Sequence, residues 1–417
     1  MTAGAPLAAS VVIPTHQRRE SVLRLLRALA AGTLAPGRYE VVVVVDGGSD
    51  GTAGAVRREP LPFPVRVIEQ TPNQGVGAAR NRGVAAAAAE LIVFIDDDIE
   101  PLPTLLETHL RLHERARAAG GDALVVVGAP LPVRPPAADF QRLEMWLWWE
   151  RQFERMRRPG HRFGFADVFT GILSLPRALF EKAGGFDPAF TSGRDDAELG
   201  ARLIEAGARV VFAPEGGGWH HELRDRRRLL ARKRAEGRAD VRIAERHPRL
   251  WDALPLARRD GAPRSATGIV RRLAFAPAWA GGAAMAALPP LMDALQALRL
   301  RAPWRRLQDA LAYYWYWRGV ADALGSRRAL ARMEERCAAA RGAEPPPLDL
   351  DLAAGLEAAE RRLDEERPAA ARILHGGREV GCIPARPGAE RLRGAHLRPA
   401  LAGELSARLM RVLADIS

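Results

Sequence analysis

The chain contains very little cysteine. It has 417 residues but only two cysteines, Cys337 and Cys382. So few thiols in a chain of this length are typical of a reducing compartment, where disulfides are rare. Residues 1–9 have neither a basic start nor a long apolar core, so they do not resemble a signal peptide. We therefore expect a cytoplasmic protein.

Lysine is just as scarce. Lys182 and Lys233 are the only two, so nearly all of the 62 basic residues are arginine, and the net charge is +12. An arginine excess can follow from the base composition of a genome, so it is weak support for an anionic partner. The charge alone would permit nucleic-acid binding. However, the sequence has no zinc-finger spacing and no basic-aromatic RNA motif, and we expect no nucleic acid as a partner.

The sequence also lacks a clear transmembrane helix. Residues 273–292 are 20 uncharged positions, enough to span a bilayer, but they are mostly alanine and glycine and include Pro277, Pro289 and Pro290. Whether this stretch enters the membrane stays open. Residues 304–324 interleave aromatic residues with arginine, which suits an interfacial helix on the anionic inner face of the cell membrane. The alternative is a helical hairpin that packs on the preceding domain.

The chain does have a clear α/β pattern. Over roughly the first 215 residues, short apolar runs alternate with helical patterns, as in a parallel sheet. The predicted strands are 10–13, 41–45, 65–68, 91–95, 124–127 and 209–212. Helices are predicted at 21–31 and 77–89, and a third is predicted to begin near Pro101. The expected fold is a Rossmann-like, mainly parallel sheet flanked by helices.

The composition changes after Pro255. We divide the chain into an α/β domain at 1–255, a helical, membrane-associated segment at 256–342, and a small α+β module at 343–417. Three consecutive prolines resemble a linker before the module. The module is predicted to contain a helix at 352–366, a hairpin at 372–384 and a closing helix at 396–413. It has no recognisable catalytic constellation.

Polar residues gather where the predicted strands end. Thr15 follows the first strand, Asp46 follows the second, and the aspartates 96–98 follow the fourth. In an open α/β sheet, ligands bind at this edge. Three adjacent carboxylates repel one another unless a cation or hydrogen-bond donors face them, and a divalent cation shared with phosphates is a common arrangement. The pattern predicts a metal-bound nucleotide diphosphate, and a solvated acidic turn is the alternative.

Five segments carry a family resemblance. They are SVVIPTHQR (10–18), VVVVDGGSDGT (42–52), NQGVGAARNRG (73–83), VFIDDDI (93–99) and GRDDAELGARL (193–203). In this order they resemble the GT-A-fold, family 2 inverting glycosyltransferases. The resemblance implies a GT-A fold, a nucleotide-diphosphate sugar as donor, and Mg2+ or Mn2+ as cofactor.

The resemblance also implies roles for single residues. Asp96 would contact ribose or metal, Asp98 would bind the metal, and His220 is favoured over His221 as a further ligand. The candidates for binding the donor nucleotide are Pro14, Thr15, Asp46, Asn73, Arg80 and Asp96; those for the metal are Asp98, Asp96 and His220. The candidates for sugar or acceptor contacts are Thr170, Gly171, Asp195 and Trp146.

The pair Asp195-Asp196 forms a second carboxylate site. The family usually has Glu-Asp here, so this chain departs by one methylene and the role of Asp195 stays open. Asp196 matches the general base, which takes the proton of the acceptor hydroxyl as that oxygen attacks the anomeric carbon from the far side. The alternative is that these carboxylates only cap a helix.

The predicted function is the transfer of a sugar to an acceptor hydroxyl in a glycolipid, polysaccharide or other glycoconjugate, with a lipid-linked acceptor among the options. One alternative is a non-catalytic scaffold that binds sugar nucleotides or membranes. Another is a nucleotidyltransferase, but residues 14–18 lack the glycines of its usual phosphate-binding loop. No G-x-G-x-x-G follows the first strand, which argues against a dehydrogenase.

Overall fold

The computed structural model describes residues 7–121, 123–191, 193–221, 225–258, 265–277, 282, 285, 288–342 and 345–414. Its strands are β1 (Ala9–Thr15), β2 (Tyr39–Asp46), β3 (Val65–Gln70), β4 (Leu91–Ile95), β5 (Ile99–Pro101), β6 (Leu124–Pro132), β7 (Ile172–Pro176), β8 (Arg209–His220), β9 (Leu348–Asp351), β10 (Ala371–His375) and β11 (Arg378–Ile383). The α-helices of the described ranges are α1 (Arg19–Ala30), α2 (Thr52–Arg58), α3 (Val76–Ala86), α4 (Leu105–Ala118), α5 (Phe140–Arg157), α6 (Arg177–Lys182), α7 (Asp195–Glu205), α8 (Arg226–Arg246), α9 (Ala266–Phe275), α10 (Leu288–Ala297), α11 (Arg301–Leu324), α12 (Arg327–Ala340), α13 (Leu356–Glu366), α14 (Leu397–Ala402) and α15 (Ser406–Ala414).

Eight strands form one large sheet in the order β3-β2-β1-β4-β7-β6-β8-β5. Parallel pairs join β1 to β2 and β4, β2 to β3, and β6 to β8. Strand β7 runs antiparallel between β4 and β6, and β5 runs antiparallel to β8. The predicted mainly parallel sheet is confirmed, with all six predicted strands. The sequence pattern misses β5, which has 3 residues, and β7, a short apolar run directly after the Thr170-Gly171 loop.

Helices cover both faces of this sheet, which explains its continuous apolar strands. Every residue of β2 is buried, and five of them are consecutive valines. Leu25 and Leu26 of α1 pack on one face, and Leu199 and Leu203 of α7 pack on the other face with Phe94 of β4. This packing fixes the carboxyl ends of β1, β2 and β4 side by side at one edge of the sheet.

The predicted helices before this edge are found with small shifts. Helix α1 occupies the predicted 21–31 region and α3 the predicted 77–89 region. The third helix begins at Leu105 rather than near Pro101, because Pro101 is the last residue of β5 and pairs with Gly218.

The helices that follow β8 pack on one another and on the sheet domain. Helices α8 and α11 cross at Gly237, which meets the carbonyl of Tyr316, and at Gly319, which meets the carbonyl of Arg234. A side chain at either glycine would collide with backbone. This pair and the helices around it enclose a core that they share with Phe165, Phe190 and α7 of the sheet domain.

Of the aromatic residues in 304–324, Tyr314 and Trp317 lie inside this core, and Trp304 lies in a second cluster with Phe140 and Met292. Trp304, Tyr314 and Trp317 are each at most 1% exposed. The expectation that the aromatics of this segment face a membrane is therefore wrong for these three, because they pack against neighbouring helices, as the hairpin alternative predicts. Among the helices of the described ranges, none is long and apolar enough to cross a membrane. The stretch 273–292 lies partly outside the described residues.

The C-terminal module has a three-stranded sheet and three short helices. Strands β10 and β11 form the predicted hairpin, and β9 adds a parallel strand to β10. Helix α13 begins at Leu356, after a 3-10 turn at Leu352–Ala354. The predicted closing helix is divided into α14 and α15, because Gly403 adopts a non-helical conformation between them.

Candidate active site

The three aspartates after β4 face three different sets of partners. Asp96 accepts a hydrogen bond at Oδ1 from Arg80 Nη2 at 2.6 Å, and its side chain is 36% exposed. Asp97 and Asp98 point instead toward the end of β1 and the start of α1. The triplet is therefore not a uniform acidic turn, and each carboxylate has its own electrostatic setting.

Arg18 neutralises part of this charge. Its Nη1 lies 2.9 Å from Asp97 Oδ1 and 2.7 Å from Asp98 Oδ2, and Thr15 Oγ1 donates to Asp97 Oδ2 at 2.7 Å. Burial raises the pKa of Asp97 to about 6, against the charge of Arg18. Asp97 thus serves as an internal brace. Arg18 was not named as a site residue from the sequence. The one sequence feature that points to it is its position three residues after Thr15, the last residue of β1.

Asp98 and His220 approach each other because β8 runs on to His220 beside β5. His220 Nε2 lies 3.5 Å from Asp98 Oδ1. Burial acts to raise the pKa of Asp98, but the hydrogen bond and charge of His220, together with Arg18, outweigh it and lower the pKa to about 2. His221 turns elsewhere, with its Nε2 2.7 Å from Glu100 Oε2. The geometry therefore favours His220 over His221 as a site residue.

Asp46, at the end of β2, holds the loop that follows β3. Its Oδ1 accepts from Gln70 Nε2 and from the Gln74 N–H, both at 2.7 Å, and its Oδ2 accepts from the Gly75 N–H at 2.8 Å. Asn73 Nδ2 donates to the main-chain carbonyl of Asp46 at 2.9 Å. These bonds fix the 70–75 loop at the sheet edge. The contacts of Asp46 and Asn73 with a nucleotide stay predictions.

Arg80 connects the two carboxylate sites. It is 3% exposed, and its Nη2 and Nη1 lie 2.6 Å from Asp96 Oδ1 and 2.9 Å from Asp195 Oδ2. Its guanidinium carbon lies 5.1 Å from the centroid of the Phe186 ring. Burial would lower the pKa of Arg80, but Asp96 and Asp195 outweigh it and raise the pKa. Arg80 was predicted to bind the nucleotide; the contact found here is a bridge that holds α7 against the end of β4.

Asp195 and Asp196 form the first turn of α7. The residue before them, Arg194, is the N-cap position with φ 64°, and its own side chain makes no capping hydrogen bond. Asp195 Oδ2 accepts a hydrogen bond from Arg80 Nη1 at 2.9 Å. Asp196 Oδ1 accepts a hydrogen bond from the N–H of Ala197 at 2.7 Å. Burial, followed by the charge of Asp195, raises the pKa of Asp196 to about 6. Such a carboxylate is suited to act as a general base near neutral pH.

A buried chain of contacts fixes the start of α7 from the side of the helical segment. Arg194 Nε lies 3.0 Å from Asp240 Oδ1, and Tyr316 Oη donates to Asp240 Oδ2 at 2.8 Å. Asp240 is 0% exposed. A buried carboxylate needs such partners, so α8 and α11 take part in positioning Arg194 and hence the turn that carries Asp196.

Thr170 and Gly171 lie beside Asp96. The carbonyl of Gly171 accepts the Asp96 N–H at 3.0 Å, and a side-chain carbon at Gly171 would lie 3.3 Å from Asp96 Oδ2. Thr170 is 3% exposed. The glycine therefore keeps the approach to Asp96 Oδ2 open.

Trp149 on α5 lies close to His220. Its ring centroid is 6.2 Å from that of His220, and it stacks on Phe153 at 5.4 Å. Trp146 faces Arg134, whose guanidinium carbon is 5.6 Å from its ring centroid. The structure thus brings Trp149 close to a predicted site residue, whereas the residue named as a sugar or acceptor contact is Trp146. The predicted acceptor contact of Trp146 stays a prediction.

Comparison with known proteins agrees with this geometry. Residues 10–183 match the family model described as glycosyl transferase family 2, and residues 151–223 match one described as the N-terminal domain of galactosyltransferase. This part of the chain is therefore similar to glycosyl transferase family 2. The GT-A fold expected from the sequence is confirmed.

Several curated proteins resemble this chain. A validoxylamine A glucosyltransferase from Streptomyces hygroscopicus is 32% identical over 236 residues, which cover 50% of this chain and 50% of that protein. A pre-mycofactocin glycosyltransferase from Mycobacterium tuberculosis is 28% identical over 249 residues, 57% of this chain and 48% of that protein. The chain thus spans about half the length of the curated relatives it matches.

Among solved structures, a mannosyltransferase from Pyrobaculum calidifontis in complex with GDP-Man and Mn2+ is similar. It aligns with a TM-score of 0.46 and 20% identity over 80% of this chain and 90% of that chain. Staphylococcus aureus TarS (residues 1-349) in complex with UDP-GlcNAc aligns with a TM-score of 0.42 and 15% identity over 76% of this chain and 92% of that chain.

The donor atoms beside Asp98 fit a divalent cation that is held partly by its ligand. Asp98 Oδ1 and His220 Nε2, 3.5 Å apart, are an oxygen and a nitrogen of the types that bind Mg2+ or Mn2+. Within the described ranges, no three His, Cys, Asp or Glu side chains are close enough to hold a metal ion. Asp96 pairs with Arg80, and the predicted metal set of Asp98, Asp96 and His220 stays a prediction.

Proposed function

We propose that this family 2 glycosyltransferase is an inverting enzyme that moves a sugar from a nucleotide-diphosphate sugar to an acceptor hydroxyl. The observation that carries the proposal is the Arg80 bridge. By joining Asp96 to Asp195, it holds the first turn of α7, which also carries Asp196, against the end of β4, where the nucleotide ligand is expected. Donor and acceptor chemistry then meet at one end of the sheet.

Asp196 is the proposed general base. Its carboxylate takes the proton of the acceptor hydroxyl while the oxygen forms a bond to the anomeric carbon. The bond from that carbon to the diphosphate oxygen breaks with its electron pair, and attack from the opposite side inverts the configuration. A pKa of about 6 leaves Asp196 mostly ionised at neutral pH and still basic enough to accept a proton. The proton then passes to solvent.

The donor side rests on residues at the ends of β1, β2 and β4. Asp98 and His220 are proposed to hold a divalent cation together with the diphosphate, and Asp96 to contact the ribose or the cation. A bound cation would neutralise negative charge on the departing diphosphate. The remaining donor-side assignments are proposed as predicted: Pro14, Thr15, Asp46, Asn73 and Arg80 for the nucleotide, and Thr170, Gly171, Asp195 and Trp146 for the sugar or acceptor.

Substitution of the base tests the proposal most directly. Asp196→Asn should lower the rate of transfer by about 10²–10⁴-fold, the usual contribution of general base catalysis. A thermal-shift panel of nucleotide sugars with Mn2+ identifies the donor, and the same donor should still raise the Tm of the variant. Asp309→Asn is the matched control, since this aspartate on α11 has a side chain that is 74% exposed.

The outcome also separates the alternatives. If Asp196→Asn transfers sugar at a near-wild-type rate, the base assignment is wrong. A scaffold would bind nucleotide sugars without releasing nucleoside diphosphate in the presence of any acceptor. A nucleotidyltransferase would consume a nucleoside triphosphate and a sugar phosphate and would release pyrophosphate.

We also propose peripheral contact with the inner face of the cell membrane, through the helical segment at 256–342. The support is a set of exposed apolar side chains near α9 and α10: Ile269, Leu291, Leu298 and Leu300, of which Leu298 is 68% exposed. Arg299 and Arg301 lie beside them, and the combination suits an anionic leaflet. A lipid-linked acceptor in glycolipid or polysaccharide synthesis would be consistent with such contact.

Vesicle flotation tests the membrane contact. The double substitution Leu298→Asn/Leu300→Asn should weaken binding to vesicles containing phosphatidylglycerol by about tenfold or more, because two leucine side chains proposed to insert into the bilayer are lost. Met410→Asn on α15, where Met410 is 64% exposed, is the matched control. Equal flotation of both variants and the wild type would reject the contact. Deletion of the whole segment is unsuitable, because its helices share a core with the sheet domain.

A further inference from the structure

The C-terminal module is fixed to the sheet domain by main-chain pairing. The Phe165 N–H donates to the carbonyl of Gly388, and the Glu390 N–H donates to the carbonyl of Phe163, both at 2.8 Å. The Phe165 ring also packs against the position where Gly388, with φ +68°, has no side chain. Side chains on the two sides of this junction therefore keep fixed positions relative to each other.

Arg162 crosses the junction. Its guanidinium donates to the carbonyls of Glu390, Pro384 and Ala369 at 2.6, 2.9 and 2.9 Å. Carbonyl groups accept these bonds but do not cancel the charge. Burial, followed by the charge of Arg386, lowers the pKa of Arg162 to about 10. The junction is therefore already positive before its other arginines are considered.

Four more arginines gather here from separate parts of the chain. Arg209 begins β8, Arg367 follows α13, and Arg391 and Arg393 precede α14. Arg209 interacts electrostatically with Arg367 and Arg393, and Arg367 also with Arg391. We call this group the arginine seam; it consists of Arg162, Arg209, Arg367, Arg391 and Arg393.

The acids at the seam do not balance this charge. Glu390, which is 0% exposed, pairs with Arg393 at 3.0 Å. Asp364 Oδ1 accepts a hydrogen bond from the Gly394 N–H, also at 3.0 Å. After burial, the cause that most lowers the pKa of Arg209 and of Arg367 is in both cases Arg393, ahead of any carboxylate. Arg393 is thus the charged neighbour with the strongest influence on both arginines, and it repels them.

Two guanidinium nitrogens of the seam also lack acceptors. Nε of Arg367 and Nε of Arg393 are buried and have no hydrogen-bond partner among the described residues. A buried donor without an acceptor costs about 1–3 kcal/mol, and more when it is charged. An anion that entered the seam would supply both the missing acceptors and the missing negative charge.

The seam is separate from the proposed active site. It includes the beginning of β8, and β8 runs parallel to β6 and so to β4 and β1, with β7 reversed between them. The beginning of β8 therefore lies at the opposite sheet edge from the ends of β1 and β4, where the aspartates lie. A ligand at the seam would not occupy the donor site.

We propose that the arginine seam is a binding site for a phosphate-bearing anion. A phosphate group presents several oxygens that accept paired hydrogen bonds from guanidinium forks, which lysine could not supply in the same geometry. The half-buried seam lies between a strand start, a helix end and a loop, so it suits one small charged group. A free phosphate compound and a lipid headgroup share this chemistry.

Calorimetric titration of the full chain with sodium pyrophosphate, in EDTA and at low salt, tests the site. EDTA removes the cation on which diphosphate binding at the donor site is proposed to depend. Arg209→Gln and Arg367→Gln should each weaken binding by about tenfold, the equivalent of one charged hydrogen bond. Without pyrophosphate, Arg367→Gln should leave the Tm equal to or above that of the wild type, because it relieves repulsion. Flotation with phosphatidylglycerol vesicles is the second arm.

Arg411→Gln is the matched control, since Nε of this exposed arginine of α15 donates to the carbonyl of Ala407 in its own helix at 3.3 Å. Pyrophosphate binding that is lost in both seam variants and kept in the control supports a free phosphate compound as the ligand. Vesicle binding without pyrophosphate binding, again lost only in the seam variants, supports a lipid headgroup. If the wild type binds neither probe, or if the seam variants bind as the wild type does, the proposal is wrong.

Discussion

The two edges of the large sheet carry opposite imbalances of charge. At the carboxyl ends of β1, β2 and β4, aspartates outnumber arginines, and Arg18 and Arg80 each bridge two carboxylates. At the beginning of β8, arginines outnumber acids, and two of their nitrogens have no acceptor among the described residues. The first edge is organised by internal ion pairs, whereas the second is left with charge that its neighbours do not balance.

This difference determines which groups at each edge are left to bind a ligand. A guanidinium between two carboxylates is already satisfied, so at the first edge the exposed part of Asp96, the Asp98–His220 pair and Asp196 are what remains for a ligand. At the seam the arginines themselves remain, because no bridging carboxylate occupies them. The first edge therefore suits a cation and an acceptor hydroxyl, and the second suits an anion.

Removing one arginine from each edge should change the unfolding free energy by very different amounts, and the largest effect is expected at Arg80. Arg80→Gln leaves Asp96 and Asp195 without their shared partner, which should cost about 3–5 kcal/mol of unfolding free energy, as for other broken buried ion pairs. Arg367→Gln at the seam should cost nothing. Denaturant unfolding of the two variants beside the wild type measures this, and an equal loss in both would show that the two arginines are not in different electrostatic settings.

The sequence predicts the positions of these groups better than their partners. Six strands, the aspartates after β4 and the pair at the start of α7 follow from local patterns. Arg18 with Asp98, Arg80 with Asp195, and Arg162 with Glu390 are separated by 80, 115 and 228 residues, and such pairs depend on how the whole sheet and module pack. The choice between His220 and His221 likewise depended on the antiparallel β5, which is too short to give a sequence pattern.

A smaller effect is expected in the pH dependence of sugar transfer, which should depend on Asp196 at the first edge and not on the seam. Asp196 must be ionised to act as a base, and burial raises its pKa to about 6. The kcat/KM value should therefore be constant above about pH 7 and fall by about tenfold by pH 5, since one pH unit below the pKa about a tenth of the base remains ionised. The seam arginines stay charged throughout this window, so Arg367→Gln should not change the profile. A profile without a fall, while thermal unfolding shows a folded protein at each pH, would contradict the assignment of Asp196.

The smallest expected effect is at the contact between the helical segment and the active-site edge. Tyr316→Phe removes the hydroxyl that donates to buried Asp240 Oδ2 and leaves the Arg194–Asp240 pair. The loss of one such hydrogen bond should cost about 1–2 kcal/mol of unfolding free energy. Because Arg194 directly precedes the turn of Asp196, kcat should also fall several-fold while the KM for the donor is unchanged, whereas Tyr314→Phe on the same helix should change neither. If Tyr316→Phe lowers the Tm but leaves kcat at the wild-type value, α8 and α11 stabilise the first edge without positioning its base.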